Sequence, residues 1–419
     1  MLKYLIATIE TLFPAAVLTG MLYGCAKQRF GEKEKRFLRI ATAAGIVAAI
    51  VMAYLKNKTR LIRTDTWNVR IFGVSIVCFL VFLILDSEPF RKKNRSIWRT
   101  AAAFFCAVLV FLQWFYALPD VLANPYTIIL GGDALFSTGF LYRMIGVVTG
   151  LALMIFTCAA VRFVAGRVRI SYAAFLCKTA FLLISIQQFL KIVSILRARR
   201  ILPRGTLFAL TSFSANHADY YIYGLIVLTA VLPLLLLAVS MRISEPYENP
   251  AQLRKIRAGL RRRRRWSFAV MLCCFTVTLF VTGIKAYANR PVELSAIEDC
   301  IRDGDVLIIP FSQVEDGHLH RFAYTTQQGA AVRFIIIKKP GSSSYGIGLD
   351  ACDICGETGY YERAGQVVCN RCDVVMNINT IGFKGGCNPK LIDYRIEDGQ
   401  IVIPVETLDT EENNRLFGK

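Results

Sequence analysis

Histidine is scarce in this chain: only three occur among 419 residues, and none lies within a long apolar run. A bis-histidine haem held between membrane helices is therefore excluded, because such a haem needs two imidazoles inside the spans. Acidic residues are scarce in the first part of the chain. Residues 1–286 hold 37 Lys and Arg against 11 Asp and Glu, whereas residues 287–419 hold 13 against 19. The chain thus joins a basic first part to an acidic second part.

Long apolar runs dominate the basic part, and 55% of the whole chain is hydrophobic. A helix needs about 20 apolar residues to cross a bilayer. Eight runs of that kind are centred near Ala15, Val47, Ile76, Val108, Leu151, Leu183, Leu228 and Phe275. The stretch from Pro119 to Phe140 is interrupted by proline and glycine, which favours an interfacial or re-entrant segment over a ninth span.

The sequence therefore predicts a polytopic α-helical membrane protein with about eight spans, in residues 1–286, and a mostly-β C-terminal domain in residues 287–419. Lipid is the expected partner of the first part. Its positive charge lies between apolar runs, which argues against nucleic-acid binding.

The distribution of basic residues predicts the orientation in the cell membrane. With the N-terminus outside, the inside loops hold 23 Lys and Arg and the outside loops hold 9. Lys and Arg are enriched in cytoplasmic loops. Eight spans then return the C-terminal domain to the outside, so we expect it to be extracytoplasmic.

Short β-rich runs follow from about Val306. The segments Leu319–Thr326 and Ala331–Lys338 flank a Gln-Gln-Gly turn, and Glu397-Asp-Gly separates Ile392–Ile396 from a run that begins at Gln400. Both patterns predict β-hairpins. The polar segment from Thr407 is predicted to be frayed.

Five cysteines in the C-terminal domain form the main chemical motif. Cys352 and Cys355 make one C-x2-C pair, and Cys369 and Cys372 make a second pair after thirteen intervening residues. Two such turns facing each other make a four-sulfur cage, and soft thiolates select zinc, copper(I) or iron–sulfur clusters. Two disulfides in an exported domain are the alternative. Cys387 is either outside the cage, in a redox or exchange role, or replaces one of the four.

Two of the three histidines lie close to this motif in sequence. His318 and His320 are two residues apart in a predicted strand, so they project to the same face. They are candidate nitrogen ligands for a metal beside the thiolates. The alternative is an exposed pair on a hairpin.

The motif also carries a family resemblance. D-A-C-D-I-C-G-x-x-G-Y-Y, V-V-C-x-x-C and M-N-x-x-T-I-G-F-x-G-G-C-N-P, between about Val306 and Pro389, resemble the membrane iron–sulfur proteins called FtrD-like. The resemblance implies an iron–sulfur cofactor and a membrane component of a bacterial iron-uptake system. It also implies an iron permease and a periplasmic metal-binding protein as partners.

Ionisable residues inside apolar runs are a second class of candidates, because such residues are costly in a membrane. Glu10 lies in the first run and Lys178 in the sixth, and either could belong to an ion or proton site. We expect Glu10 to pair with Lys178 or Arg143. Polar contacts that only hold helices together are the alternative.

Three functions follow from these patterns. The first is a redox or metal-handling component of iron uptake, which passes electrons or metal to a permease or periplasmic partner. The second is a docking module that a structural zinc ion stabilises. The third is a transporter that uses Glu10 and Lys178.

Overall fold

The computed structural model describes residues 1–58, 62–87, 95–129, 138–203, 205, 207–241, 246–288, 292–353, 355–363, 365–371, 374–381 and 387–418. The chain forms two compact units, Met1–Ala288 and Asn289–Lys419. The first is helical and the second is built from small antiparallel sheets.

Helices of 4 to 35 residues make up the described part of the helical unit. They are α1 Leu2–Arg29, α2 Glu32–Lys58, α3 Thr64–Leu85, α4 Arg95–Ile129, α5 Thr138–Ala165, α6 Ile170–Ala198, α7 Phe208–Asn216, α8 Asp219–Ser240, α9 Pro250–Leu279 and α10 Lys285–Ala288. Within the described residues, eight helices are long and apolar enough to span a membrane. Each contains one of the eight predicted centres, so the predicted fold class is confirmed. The protein is a multi-pass membrane protein.

Helix α4 continues past the point where a break was predicted. Pro119 and the residues up to Ile129 belong to the same helix as the fourth span. The prediction of a separate segment is therefore wrong as far as Ile129, and residues 130–137 lie outside the described chain.

Helix α1 is the centre of the helical unit. The most apolar part of α1 is 78% buried, a larger share than in any other described candidate span. Glycines let it approach α5 closely: a Cβ on Gly20 would lie 2.8 Å from the Cys158 carbonyl oxygen, and one on Gly24 would lie 2.5 Å from the Ala165 side chain. Small residues allow this close packing where lipid gives no hydrophobic drive for association.

Glu10, near the start of α1, belongs to one ion network. Lys285 Nζ lies 2.8 Å from Glu10 Oε1 and 2.8 Å from Asp219 Oδ2. The expected pairing of Glu10 with Lys178 or Arg143 is therefore wrong.

Lys178 belongs to a second network, near the other end of α1. It lies 2.5 Å from Asp86, which Arg29 also contacts at 2.5 Å. Glu10 and Arg29 are nineteen residues apart on α1, which at 1.5 Å per residue is about 28 Å. Glu10 therefore lies too far along the helix to reach Lys178.

Lys285 follows a turn of π-helix, Phe280–Ile284, between α9 and α10. A π turn accommodates one extra residue within an α-helix. The residues after it consequently face a direction that a uniform 3.6-residue period does not predict.

The second unit contains nine short strands within its described residues: β1 Ile301–Asp303, β2 Val306–Pro310, β3 His320–Thr325, β4 Ala331–Lys338, β5 Tyr345–Leu349, β6 Tyr360–Arg363, β7 Gln366–Cys369, β8 Arg395–Glu397 and β9 Gln400–Pro404. They form antiparallel sheets of order β1-β2-β9-β8, β3-β4-β5 and β6-β7. Short helices α11 Phe311–Val314, α12 Val405–Leu408 and α13 Glu411–Phe417 complete the described unit, with one 3-10 turn, Ile378–Thr380.

Both predicted hairpins are present. β3 pairs with β4 from His320 opposite Ile336 to Thr325 opposite Ala331, and β8 pairs with β9 across the Asp398-Gly399 turn. The prediction of a frayed end is wrong. α13 begins with a Thr410 side-chain cap, and Phe417 is buried against the core of the unit.

Candidate metal centre

The first C-x2-C pair lies on a tight turn that follows β5. Backbone hydrogen bonds join Cys352 and Gly356 in both directions, and Gly356 has φ +70°. Glycine adopts this left-handed conformation without steric strain. The Cys355 amide also donates to Cys352 Sγ at 3.1 Å. The turn therefore presents both sulfurs to the same side and stabilises negative charge on one of them.

Two more cysteines complete a four-sulfur group. Cys369 ends β7, and Cys387 follows residues 382–386, which lie outside the described chain. The sulfurs of Cys352, Cys355, Cys369 and Cys387 all lie within 4.8 Å of one another. Cys387 Sγ lies 3.9 Å from Cys352 Sγ and 3.7 Å from Cys355 Sγ. The predicted ligand Cys372 also lies outside the described residues.

The distances between the four sulfurs are close to those that a single tetrahedral metal ion requires. A tetrahedral ion with metal–sulfur bonds of about 2.3 Å holds its sulfurs about 3.8 Å apart. The two separations from Cys387 are 3.9 and 3.7 Å, so the group fits a single ion. Thiolates bound to different irons of a cluster have sulfide bridges between those irons, so they lie farther apart. As it stands, the four-sulfur group therefore fits one ion better than a multi-iron cluster.

An apolar shell surrounds the four sulfurs. Cys352, Cys355 and Cys369 are buried, and they pack with Tyr360 and neighbouring aliphatic side chains. Burial, followed by the nearby Cys352, raises the pKa of Tyr360. Its phenol therefore stays protonated and donates to the Cys387 carbonyl oxygen at 2.5 Å. This contact holds the Cys387 loop against β6.

A buried ion pair fixes the hairpin β6–β7 to the larger sheet. Arg321 on β3 and Asp350 after β5 are 1% and 0% exposed at their side chains, with Arg321 Nε 2.9 Å from Asp350 Oδ2. Asp350 Oδ1 accepts from the Tyr360 amide at 2.8 Å, and Arg321 donates to the Tyr360 carbonyl oxygen. Arg333 adds a second contact to Asp350 at 3.2 Å. These residues were not predicted from the sequence, although Asp350, two positions before Cys352 in an apolar run, was a usable signal.

The two histidines contact carboxylates. His320 places Nδ1 2.9 Å from Glu298 and Nε2 2.8 Å from Asp316, and His318 Nδ1 lies 3.0 Å from Glu362. Among the described residues, the four-sulfur group includes neither histidine. Their role as metal ligands stays a prediction.

The His318–Glu362 contact predicts a measurable titration. The hydrogen bond to Glu362 raises the pKa of His318 above its ordinary value of 6.5. Protonated His318 therefore stabilises the fold most below pH 6.5, and this contribution is lost as pH rises through the higher, folded value. NMR of the full-length protein labelled at its three histidines should show this raised pKa, and Glu362→Gln should lower it. An unchanged His318 pKa in Glu362→Gln, matching the control Glu397→Gln, would contradict the contact.

Part of the second unit matches a known protein family. Residues 314–415 match the family described as membrane iron-sulfur containing protein FtrD-like. The resemblance inferred from the cysteine motifs is thereby confirmed. This FtrD-like segment begins at Val314 rather than near Val306, extends beyond Pro389 to Arg415, and includes all four grouped cysteines. No curated protein and no solved structure matches the chain.

Proposed function

We propose that the protein is a redox component of a bacterial iron-uptake system, with iron held by cysteine thiolates in the FtrD-like segment. The observation that carries this proposal is the convergence of four cysteine sulfurs within 4.8 Å in a shell that leaves three of them buried. Iron held by four thiolates supplies a one-electron ferric/ferrous couple. The family description adds support, because it names a membrane iron-sulfur protein. An iron permease and a periplasmic metal-binding protein are the proposed partners.

The residues of the chain define how such a centre would be tuned. The Cys355 amide donates to Cys352 Sγ, and hydrogen bonds to sulfur stabilise the more negative, reduced state. The apolar shell excludes water and favours the state of lower net charge. The half-buried Cys387 is the ligand nearest to solvent, so electrons would leave or enter on its side.

A structural zinc ion is the second candidate. Structural zinc sites are four-coordinate, closed and often built from four cysteines, and the sulfur separations here fit such a site equally well. In that case the metal stabilises the second unit as a docking module and has no redox role. Transport through the helical unit is the third function considered from sequence, and the described residues of that unit include no comparable set of metal ligands.

Metal content and spectroscopy of the purified full-length protein separate these candidates. We expect about one iron per chain, visible thiolate-to-iron absorption that bleaches on reduction, and an electron paramagnetic resonance signal of ferric iron. Acid-labile sulfide should be lacking if one iron is bound without bridging sulfide. One colourless zinc per chain would overturn the redox function. Two or more irons with labile sulfide would keep the redox function but contradict the single-ion geometry.

The orientation of the protein in the membrane needs a separate test. We propose that the second unit is extracytoplasmic, because eight spans and the excess of basic residues in the opposite loops favour it. Alkaline phosphatase fused after Lys419 should be active, and green fluorescent protein at the same position should be dark. The reverse pattern would place the thiolate group in the cytoplasm.

A further inference from the structure

A cavity of about 310 Å³ lies within the helical unit, between α1, α3, α4, α6 and α8. Its lining is unusual for a membrane bundle, because carboxylate, amide and phenol groups face the same space. Ionisable residues at membrane depth more often serve function than structure.

Most of the charges of this lining are neutralised. Lys285 contacts both Glu10 and Asp219 at 2.8 Å, and Lys56 lies 2.9 Å from Asp120. Lys191 differs: it borders the cavity but is exposed, and its ammonium makes no ion pair with any residue that the structure describes. The cavity therefore offers one cation without a counter-charge.

An amide with an unused acceptor lies one turn before Lys191. Gln188 is only 8% exposed, and its side-chain oxygen has no hydrogen-bond partner among the described residues. A buried polar atom without a partner is destabilising, and a hydrogen bond to it would remove that cost. The cavity wall thus combines donors at Lys191 with a buried acceptor at Gln188 that has no partner among the described residues.

The remaining wall is aromatic. The rings of Phe72 and Tyr116 lie 4.8 Å apart between centroids, with 60° between their planes, and both border the cavity. Such a wall suits a flat ring. Largely apolar pockets with a few converging polar groups are typical of small-molecule sites.

These features discriminate between ligand classes. A metal cation is disfavoured, because the lining carboxylates already have lysine partners and Lys191 would repel it. A phosphate is disfavoured by the three carboxylates Glu10, Asp120 and Asp219 in the same lining. A neutral ring with oxygen substituents carries no charge that Lys191 or the carboxylates would repel. Its oxygens can accept hydrogen bonds from Lys191 when the ring is oxidised and donate to Gln188 when it is reduced.

We infer that this cavity binds the head group of a membrane quinone in its oxidised or reduced form. The binding site lies in the helical unit alone. A role as electron donor rests, in addition, on the proposed function of the thiolate group. In that role one hydroquinone loses two electrons and two protons and becomes quinone. Each chain would hold one ferric ion that takes one electron, so one hydroquinone would reduce the ferric ions of two chains and release its two protons to water.

Binding is tested with the full-length protein in phosphatidylcholine nanodiscs. Decylubiquinone and menadione serve as probes, and quenching of tryptophan fluorescence is the readout. We expect saturable binding of one molecule per chain. Lys191→Met and Gln188→Leu should each weaken it by about tenfold or more, since each removes one hydrogen-bonding partner. Ser194→Ala, on the same helix but outside the lining, should leave it unchanged.

Three outcomes would overturn the site. Quenching that never saturates, or that is equal in all four proteins, would mean that the cavity holds only water. Native mass spectrometry that shows a retained phospholipid, lost in Lys191→Met, would assign the cavity to a lipid head group. Unfolding temperatures serve to check that the variants are folded. Lys191→Gln keeps a hydrogen-bond donor, so it should bind quinone more tightly than Lys191→Met does.

The electron-donor role has its own test. Anaerobic addition of reduced decylubiquinone should bleach the visible absorption of the metal centre in the wild type, and much more slowly in Lys191→Met. Saturable binding without bleaching would overturn this role and leave the quinone site standing. Bleaching by dithionite but not by quinol would show that the metal centre is redox-active but does not accept electrons from quinol. Failure of the electron-donor role is thereby distinguished from failure of the proposed redox function.

Discussion

Replacing any one of the four grouped cysteines by serine is expected to remove most of the metal bound by the full-length protein. The four variants are Cys352→Ser, Cys355→Ser, Cys369→Ser and Cys387→Ser. A serine hydroxyl is a hard, protonated oxygen that cannot replace a thiolate in a four-sulfur site. Loss of a residue outside the ligand set already weakens metal binding by about 10- to 100-fold, so loss of a ligand should exceed that. Metal per chain after washing with a chelator is the measurement. Because metal binding and folding are coupled, the variants should also become sensitive to protease.

Cys300→Ser is the matched control, because Cys300 is half-buried in the same unit but lies outside the four-sulfur group. Cys372→Ser decides the fourth ligand. Metal loss in Cys372→Ser together with retention in Cys387→Ser would show that Cys387 is not the fourth ligand. Full retention in all four variants would contradict the metal centre itself.

Arg321→Met is expected to destabilise the second unit by about 3–5 kcal/mol, because it leaves Asp350 buried beside a weaker partner. Asp350→Asn should have an effect of similar size, since Arg321 then keeps a buried charge. The Tyr360 backbone contacts both residues, so metal should also be released at lower denaturant concentration. Chemical unfolding of the full-length protein, followed by metal release, measures both effects.

Arg415→Met is the control for this prediction. Arg415 and Glu411 form an ion pair in which both side chains are more than four-fifths exposed. Exposed pairs contribute little, so the variant should lie within about 0.5 kcal/mol of the wild type. An effect of Arg321→Met as small as that of Arg415→Met would mean that the buried pair does not hold the hairpin. The double variant Arg321→Met/Asp350→Asn should lose less than the sum of its two single losses, because neither member of the fully buried pair then carries a charge.

Features that depend on neighbouring residues could be predicted from the sequence. The eight spans follow from uninterrupted apolar runs, and the β3–β4 and β8–β9 hairpins follow from alternating residues around glycine turns. The pairing of Cys352 with Cys355 follows from the spacing of one turn. Each of these signals is complete within about 30 residues.

Features that depend on distant residues could not be predicted. Arg321 and Asp350 meet only after β3, β4 and β5 have formed a sheet, and no local pattern marks them as partners. The spacing of the cysteines left open whether Cys387 belongs to the cage, because it does not give the path of the intervening loop. Glu10 was assigned the wrong partner, since the choice of Lys178 took no account of depth along the helices.

The π turn at Phe280–Ile284 has a consequence for how residues in the last span should be counted. One residue turns an α-helix by about 100°, so if the same residues of Phe280–Ile284 formed regular α-helix, Lys285 would point away from Glu10. A chain shortened by one residue within this turn could form a regular α-helix and still present the same ammonium to Glu10. In this span the direction in which a side chain points therefore depends on the hydrogen-bond register of the helix. Sequence alignments that forbid a gap inside the helix would pair the wrong residues.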